Sequence, residues 1–263
     1  MPFAVNKGVR IRYEVEGSGT PLVMMHGGVV SLEMWRDLGY TDALRADHRL
    51  ILIDARAHGQ SDKPHDPLQY RQELMVGDVV AVLDDLAVAK AHYIGASMGA
   101  AIGFQMARYA PDRLHSLALL GYGRYGPLTE AEQQFHAIGR RMYEMAAGMG
   151  AEAALAAIER PERPLPPEFK AQFLSNDWQA LLAFQDGFDE WPGFEDVLPK
   201  IAVPCLVVVT EGDAFYSSAK KCAEVMPRAT FVALEGGVHN QESYLPDRVV
   251  PHLRSVTTGA GRV

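Results

Sequence analysis

Short apolar runs recur along the chain with amphipathic stretches between them. Pro21 to Met25, Arg49 to Ile53, His92 to Ile94, Leu114 to Leu120, Cys205 to Thr210 and Thr230 to Leu234 read as parallel strands buried on both faces. Leu32 to Leu44 and Gln72 to Leu86 have apolar residues three and four apart, a helical pattern in which Leu74, Val79, Val82, Leu83 and Leu86 face the sheet. Phe3 to Val5 and the alternating Val9, Ile11, Tyr13 and Val15 flank the turn-forming Asn6-Lys7-Gly8, which predicts an opening hairpin. A small-residue helix runs to Tyr109 and stops before Pro111; later helices are expected over Ser217 to Val225 and from Glu242 onward. Strands alternating with helices in this way imply a mostly parallel, doubly wound α/β sheet.

The rhythm breaks between Gly121 and Pro199. Thr129 with Glu132 forms a capping box, Ala151 to Arg160 looks helical, Pro166-Pro167 opens another helix, and Asp177 caps one running to Phe188. The segment is therefore expected to be an all-helical insertion, residues 122–198, in a single core made of residues 1–121 and 199–263. A chain of 263 residues with 48% hydrophobic and 22% charged residues is long enough for such a core.

Charge and cysteine usage narrow the partners. Thirty-three acidic against 25 basic residues give a net charge of -8, which repels nucleic acid and anionic membrane surfaces, so a small-molecule partner is expected. Met1 to Ile11 lacks the apolar core of a signal peptide, and no run approaches the length of a membrane span; a cytoplasmic location is the default expectation. Cys205 and Cys222 are the two cysteines, read as reduced packing residues. Nothing in the sequence chooses between monomer and homodimer.

Candidate chemistry centres on Gly95-Ala96-Ser97-Met98-Gly99, a G-x-S-x-G pattern placed where a strand passes into a helix. At so sharp a turn the serine backbone is strained, and glycines two residues to either side remove Cβ atoms that would collide with the neighbouring strand and helix. A serine hydroxyl needs a base to attack a carbonyl. Of nine histidines, His239 lies in Gly236-Gly237-Val238-His239-Asn240, after the last strand and on the same sheet edge as Ser97. The orienting acid on that edge is Asp213 or its neighbour Glu211, with Asp213 preferred because Gly212 lets the chain turn the next side chain inward. No phosphate loop, dinucleotide fingerprint or metal-ligand spacing is visible, so catalysis without cofactor or metal is expected.

With these residues in place, the chain resembles the α/β-hydrolase superfamily over nearly its whole length outside the insertion. The resemblance implies an eight-stranded sheet with a helical cap inserted after the sixth strand, and a Ser97, Asp213, His239 triad. His26-Gly27-Gly28 is similar to the family's oxyanion-loop motif, so the N–H of Gly28 and that of Met98 are the implied oxyanion donors. Asp54-Ala55-Arg56-Ala57-His58-Gly59-Gln60-Ser61 resembles the family's D-x-R-G-x-G-x-S segment, which is structural; Ala57 stands where the family usually has glycine. His26 and His58 are read as loop-fixing hydrogen-bonders. Serine at the turn argues against dehalogenation and epoxide opening, which use aspartate there. Gly28-Val29-Val30-Ser31 differs from the Ser-Gly-Pro-Gly of carbon–carbon hydrolases, and Met98 from the tryptophan of proline-specific peptidases.

The insertion is rich in Met and aromatic residues, most of which must be its own packing. Gly27, Val29, Tyr122, Arg124, Met142, Trp178, Phe184 and Val238 are the candidate substrate contacts, and they favour an uncharged, partly apolar substrate. The expected activity is cleavage of a small carboxylic ester through an acyl-enzyme. The alternatives are lactone hydrolysis, with Arg124 pairing with a substrate carboxylate, perhydrolysis, and a non-enzymatic receptor on the same fold.

Overall fold

A computed structural model describes residues 2–159 and 164–258. Eight strands form one sheet in the order β1-β2-β4-β3-β5-β6-β7-β8: β1 (Phe3–Asn6), β2 (Val9–Glu16), β3 (Thr20–Met25), β4 (His48–Ile53), β5 (Ala91–Ala96), β6 (Leu114–Leu120), β7 (Cys205–Thr210) and β8 (Ala229–Leu234). The β1-β2 hairpin and the β2-β4 pair are antiparallel, and every other pair is parallel. The period-two alternation of side chains sorts the apolar runs between two cores. Val23, Met25, Ile51 and Ile53 face one layer of helices, while Leu22, Met24, Leu50 and Leu52 face the other.

The first layer contains α3 (Gln72–Asp85), α4 (Met98–Tyr109) and α9 (Tyr216–Val225); the second contains α1 (Met34–Asp37), α2 (Tyr40–Leu44) and α10 (Pro246–Thr258). Between β6 and β7 stand the four helices of the insertion: α5 (Glu130–Met149), α6 (Ala151–Ile158), α7 (Pro167–Leu174) and α8 (Trp178–Asp189). The Thr129–Glu132 capping box closes the start of α5, and the Asp177 carboxylate accepts the Ala180 N–H at 3.1 Å to cap α8.

Four local readings need correction. Leu32 to Leu44 is not one helix: Gly39 adopts φ 80° and divides it into α1 and α2. On α3 the buried face is Met75, Val76, Val79, Val82 and Leu83, whereas Leu74 and Leu86 lie only half-buried at its edge. The closing helix starts at Pro246 rather than Glu242; residues Gln241–Tyr244 form a 3-10 turn, and proline at the first helical position fixes the restart. Helix α6 ends at Ile158, and Arg160 falls outside the described residues.

Register aligns the site. Met25 pairs with Ile53 on one side and Gly95 on the other, Ala96 pairs with Leu120, and Thr210 pairs with Leu234. The loops that follow β3, β5, β7 and β8 therefore leave the same edge of the sheet. In a parallel sheet that is where a ligand can meet several loops at once.

Candidate active site

Ser97 sits between β5 and α4 with φ 49° and ψ -107°, a left-handed conformation costly for a residue with a side chain. Both flanking glycines are sterically required. A Cβ at Gly95 would strike the Gly99 carbonyl group, and one at Gly99 would strike the carbonyl oxygen of Met25 at the end of β3. The Ser97 N–H donates to Leu120 O at 2.8 Å and its carbonyl accepts the Ala101 N–H at 3.0 Å. Strand and helix thus hold the strained residue from both sides.

Ser97 Oγ lies 2.7 Å from His239 Nε2. On its other side the imidazole Nδ1 is 3.1 Å from each carboxylate oxygen of Asp213. A carboxylate can only accept, so Nδ1 carries the proton and Nε2 is free to accept the serine proton. Asp213 is itself anchored, accepting the backbone N–H of Phe215 at 2.9 Å and of Asn240 at 3.0 Å. Its side chain is buried while Glu211 is exposed. The reason given for Gly212 needs revision: its φ is not left-handed, and its value lies in space, since a Cβ there would stand 2.6 Å from Gly237 Cα. The rings of Phe135 and Phe215 lie against the imidazole, at 4.4 and 5.3 Å between centroids.

The loop after β3 presents Gly28 beside Ser97. Its N–H and that of Met98, first residue of α4, find no acceptor among the described residues and border the same cavity. His26 fixes this loop from beneath. Its Nε2 accepts the Ala55 N–H at 3.1 Å, so Nδ1 is the protonated nitrogen and donates to Gly27 O at 2.6 Å. Complete burial pushes its pKa down to about 4 and that of His58 down to about 3, so both rings are neutral. Asp54 ties the neighbouring turns together, accepting the N–H groups of Leu32 and Gln60 at 2.8 Å each and Arg12 Nη1 at 3.2 Å. Arg56 donates to Asp78 of α3 at 2.6 Å and to Gln69 O at 2.6 Å. Ala57, in the glycine position of the segment, holds φ 70°.

The insertion is stitched to the loop after β3. Gln172 Oε1 accepts the Ser31 N–H at 2.8 Å, and Asn176 Nδ2 donates to the carbonyl of Val29 at 2.8 Å. Val29 is held at φ 61°. The insertion and the sheet edge enclose a cavity of about 210 Å³ lined chiefly by apolar groups, with Ser97 and His239 on its wall.

Of the candidate substrate contacts, Val29, Tyr122, Met142 and Phe184 line this cavity. Gly27, Arg124, Trp178 and Val238 do not. Arg124 turns away and donates to Trp191 O at 2.6 Å, and Trp178 packs behind Tyr143, ring centroids 5.7 Å apart. The wall also includes Phe135, His136, Gly139 and Tyr143 of α5, Gln185 and Phe188 of α8, and Phe215 after β7. The α5 set, completed by Met142, has helical spacing; an amphipathic plot shows the stripe but not that it faces a cavity rather than another helix. Cys205 and Cys222 are buried and unbridged. Among the described residues no group of three or more His, Cys, Asp or Glu side chains could hold a metal ion, and no helix is long and apolar enough to cross a membrane.

An eight-stranded α/β sheet with a strained serine turn between strand and helix at its carboxyl edge sets the class of the protein. The chain belongs to the α/β-hydrolase-fold family, whose model matches residues 20–241. It is 28% identical to RutD of Azorhizobium caulinodans, a candidate carbamate hydrolase, over 94% of each chain. Among solved structures it resembles an esterase from Rhodococcus, with 28% identity, 99% of each chain covered and a TM-score of 0.80. It also resembles an enzyme that degrades N-acyl homoserine lactones, with 28% identity, 97% of this chain and 99% of the other covered, and a TM-score of 0.73.

Proposed function

We propose that the protein is a serine hydrolase that cleaves a small carboxylic ester through an acyl-enzyme. The observation that carries this reading is the continuous hydrogen-bond chain from buried Asp213 through His239 to Ser97, which borders a mainly apolar cavity beside two N–H groups without acceptors among the described residues. Ser97 Oγ adds to the ester carbonyl carbon as His239 Nε2 takes its proton, and the carbonyl π pair moves onto oxygen. The N–H groups of Gly28 and Met98 receive that oxyanion, each lowering the barrier by on the order of 3 kcal/mol. Collapse restores the carbonyl and expels the alcohol, which leaves with the proton from His239. Water, deprotonated by the same nitrogen, then releases the acid and restores Ser97.

The cavity of about 210 Å³ lies below the range of about 300–1,000 Å³ usual for ligand pockets. That favours a short acyl or alkyl group, and the lining favours an uncharged one. The segment 122–198 acts as the cap over this site, the core being residues 1–121 and 199–263. Lactone hydrolysis is the second reading, favoured by likeness to the lactone-degrading enzyme. An acidic lactone lacks support, because Arg124 is committed to Trp191 O.

Ser97→Ala should abolish turnover of short aryl esters while circular dichroism and melting temperature stay those of the parent; full retained activity in that variant removes the assignment. A panel of open-chain esters and lactones of matched size separates the two enzyme readings. Stoichiometric labelling of Ser97 by a fluorophosphonate without turnover of any ester or lactone would point to a receptor instead.

A further inference from the structure

Tyr143 is a buried residue of α5 whose ring rests against Trp178, itself 4.4 Å from Phe173 between ring centroids. Its hydroxyl lies 3.3 Å from where a Cβ would stand on Gly28, and among the described residues, Gly28's chain neighbours aside, no other group approaches that point within 4 Å. Gly28, Met98, Ser97 and Tyr143 all line one cavity. The hydroxyl makes no hydrogen bond among the described residues and is not one of the sealed-off side-chain atoms, so it opens onto the cavity. A hydroxyl left free in this way can donate to a ligand in the cavity.

We infer that Tyr143 is a catalytic residue that donates a hydrogen bond from the helical insertion to the substrate oxygen held at Gly28, completing an oxyanion site otherwise made of backbone. The inference rests on the ester-hydrolase reading and adds a donor to it. When Ser97 Oγ adds to the carbonyl carbon, the electron pair that moves onto oxygen is met by Tyr143 O–H as well as by the two N–H groups. The phenol keeps its proton throughout; the proton that moves is the serine's, to His239 and on to the leaving alcohol. Burial supports this, because it raises the phenol above its ordinary pKa of 10 and keeps the O–H intact at any assay pH. The donor belongs to the insertion and the acceptor site to the sheet edge, so the full set of donors exists only while α5 is seated over Ser97.

Tyr143→Phe removes the hydroxyl and keeps the ring that packs on Trp178. It should lower kcat for a short aryl ester by about 10- to 100-fold with KM changed less than about threefold. The rate at which a fluorophosphonate inactivates Ser97 should fall in parallel, since its phosphoryl oxygen occupies the same site. The melting temperature should stay close to that of the parent. A kcat and an inactivation rate both within about twofold of the parent, or a loss confined to KM, would overturn the role. If the parent hydrolyses no ester, the ester-hydrolase reading falls, while the inactivation rates of parent and variant still decide whether Tyr143 serves Ser97. A parent inert to both reagents overturns both.

Discussion

Glu242 is wholly buried three residues beyond His239, and neither carboxyl oxygen has a hydrogen-bond partner among the described residues. Oε1 occupies the space a Cβ would need at Gly121, and the Tyr40 hydroxyl nearby is buried and unpartnered too. Burial raises the carboxyl from 4.5 to about 8; its own backbone pulls the other way, and the Asp213 charge adds a smaller push upward. Between those values the unfolded chain gives up a proton that the folded chain keeps, so stability falls as pH rises through the window. Below it, the neutral acid costs nothing by titration. For a shift of this size the loss from about pH 5 to about pH 8 is roughly 3–4 kcal/mol, a large share of a typical fold's margin. Glu242→Gln keeps the shape and removes the titration. Urea unfolding followed by tryptophan fluorescence at both pH values should show the variant gaining that amount on the parent as pH rises. The buried His26 and His58 work oppositely: their depressed pKa values cost stability as pH falls below about 6.5. They are common to both proteins and cancel in the comparison. Parallel stability curves for parent and Glu242→Gln would show that Glu242 does not titrate in this window.

Other consequences are more local. Ala57→Gly should raise stability by about 0.5–1 kcal/mol, because relief of the left-handed strain at φ 70° outweighs the added freedom of the unfolded chain; an unchanged or lower unfolding midpoint in urea would contradict this. Gly99→Ala should destabilise the fold by more than about 3 kcal/mol, because its Cβ meets the Met25 carbonyl, main chain fixed in the sheet rather than a yielding side chain. A melting temperature within a degree or two of the parent would show that the turn is looser than its geometry implies.

The features legible in the sequence were those fixed by local sterics or short-range pairing. Apolar runs gave the strand cores to within a residue or two, because a strand buried on both faces tolerates little else. Gly95 and Gly99 marked a turn that only small residues permit, and chain order placed Asp213 and His239 on its edge. What the sequence did not disclose depends on how a helix is docked. Phe135, Gly139 and Tyr143 form an ordinary amphipathic stripe until α5 is laid over Ser97, and Arg124 looks available until the Trp191 carbonyl reaches it. Glu242 carried no signal either: a glutamate beside a loop reads as solvated, and only the packing of its turn against α10 and β7 makes it otherwise.

The hydrogen bonds from Gln172 and Asn176 to Ser31 and Val29 bear on how such a protein diversifies. An insertion joined to its host only through its two ends can be exchanged like a module, with its own evolutionary history. Here two amides of the insertion help shape the loop that carries Gly28. A chimera that grafts a foreign insertion onto this sheet would have to bring equivalents of both amides, so sequence drift in residues 172 and 176 is coupled to the backbone beside Ser97.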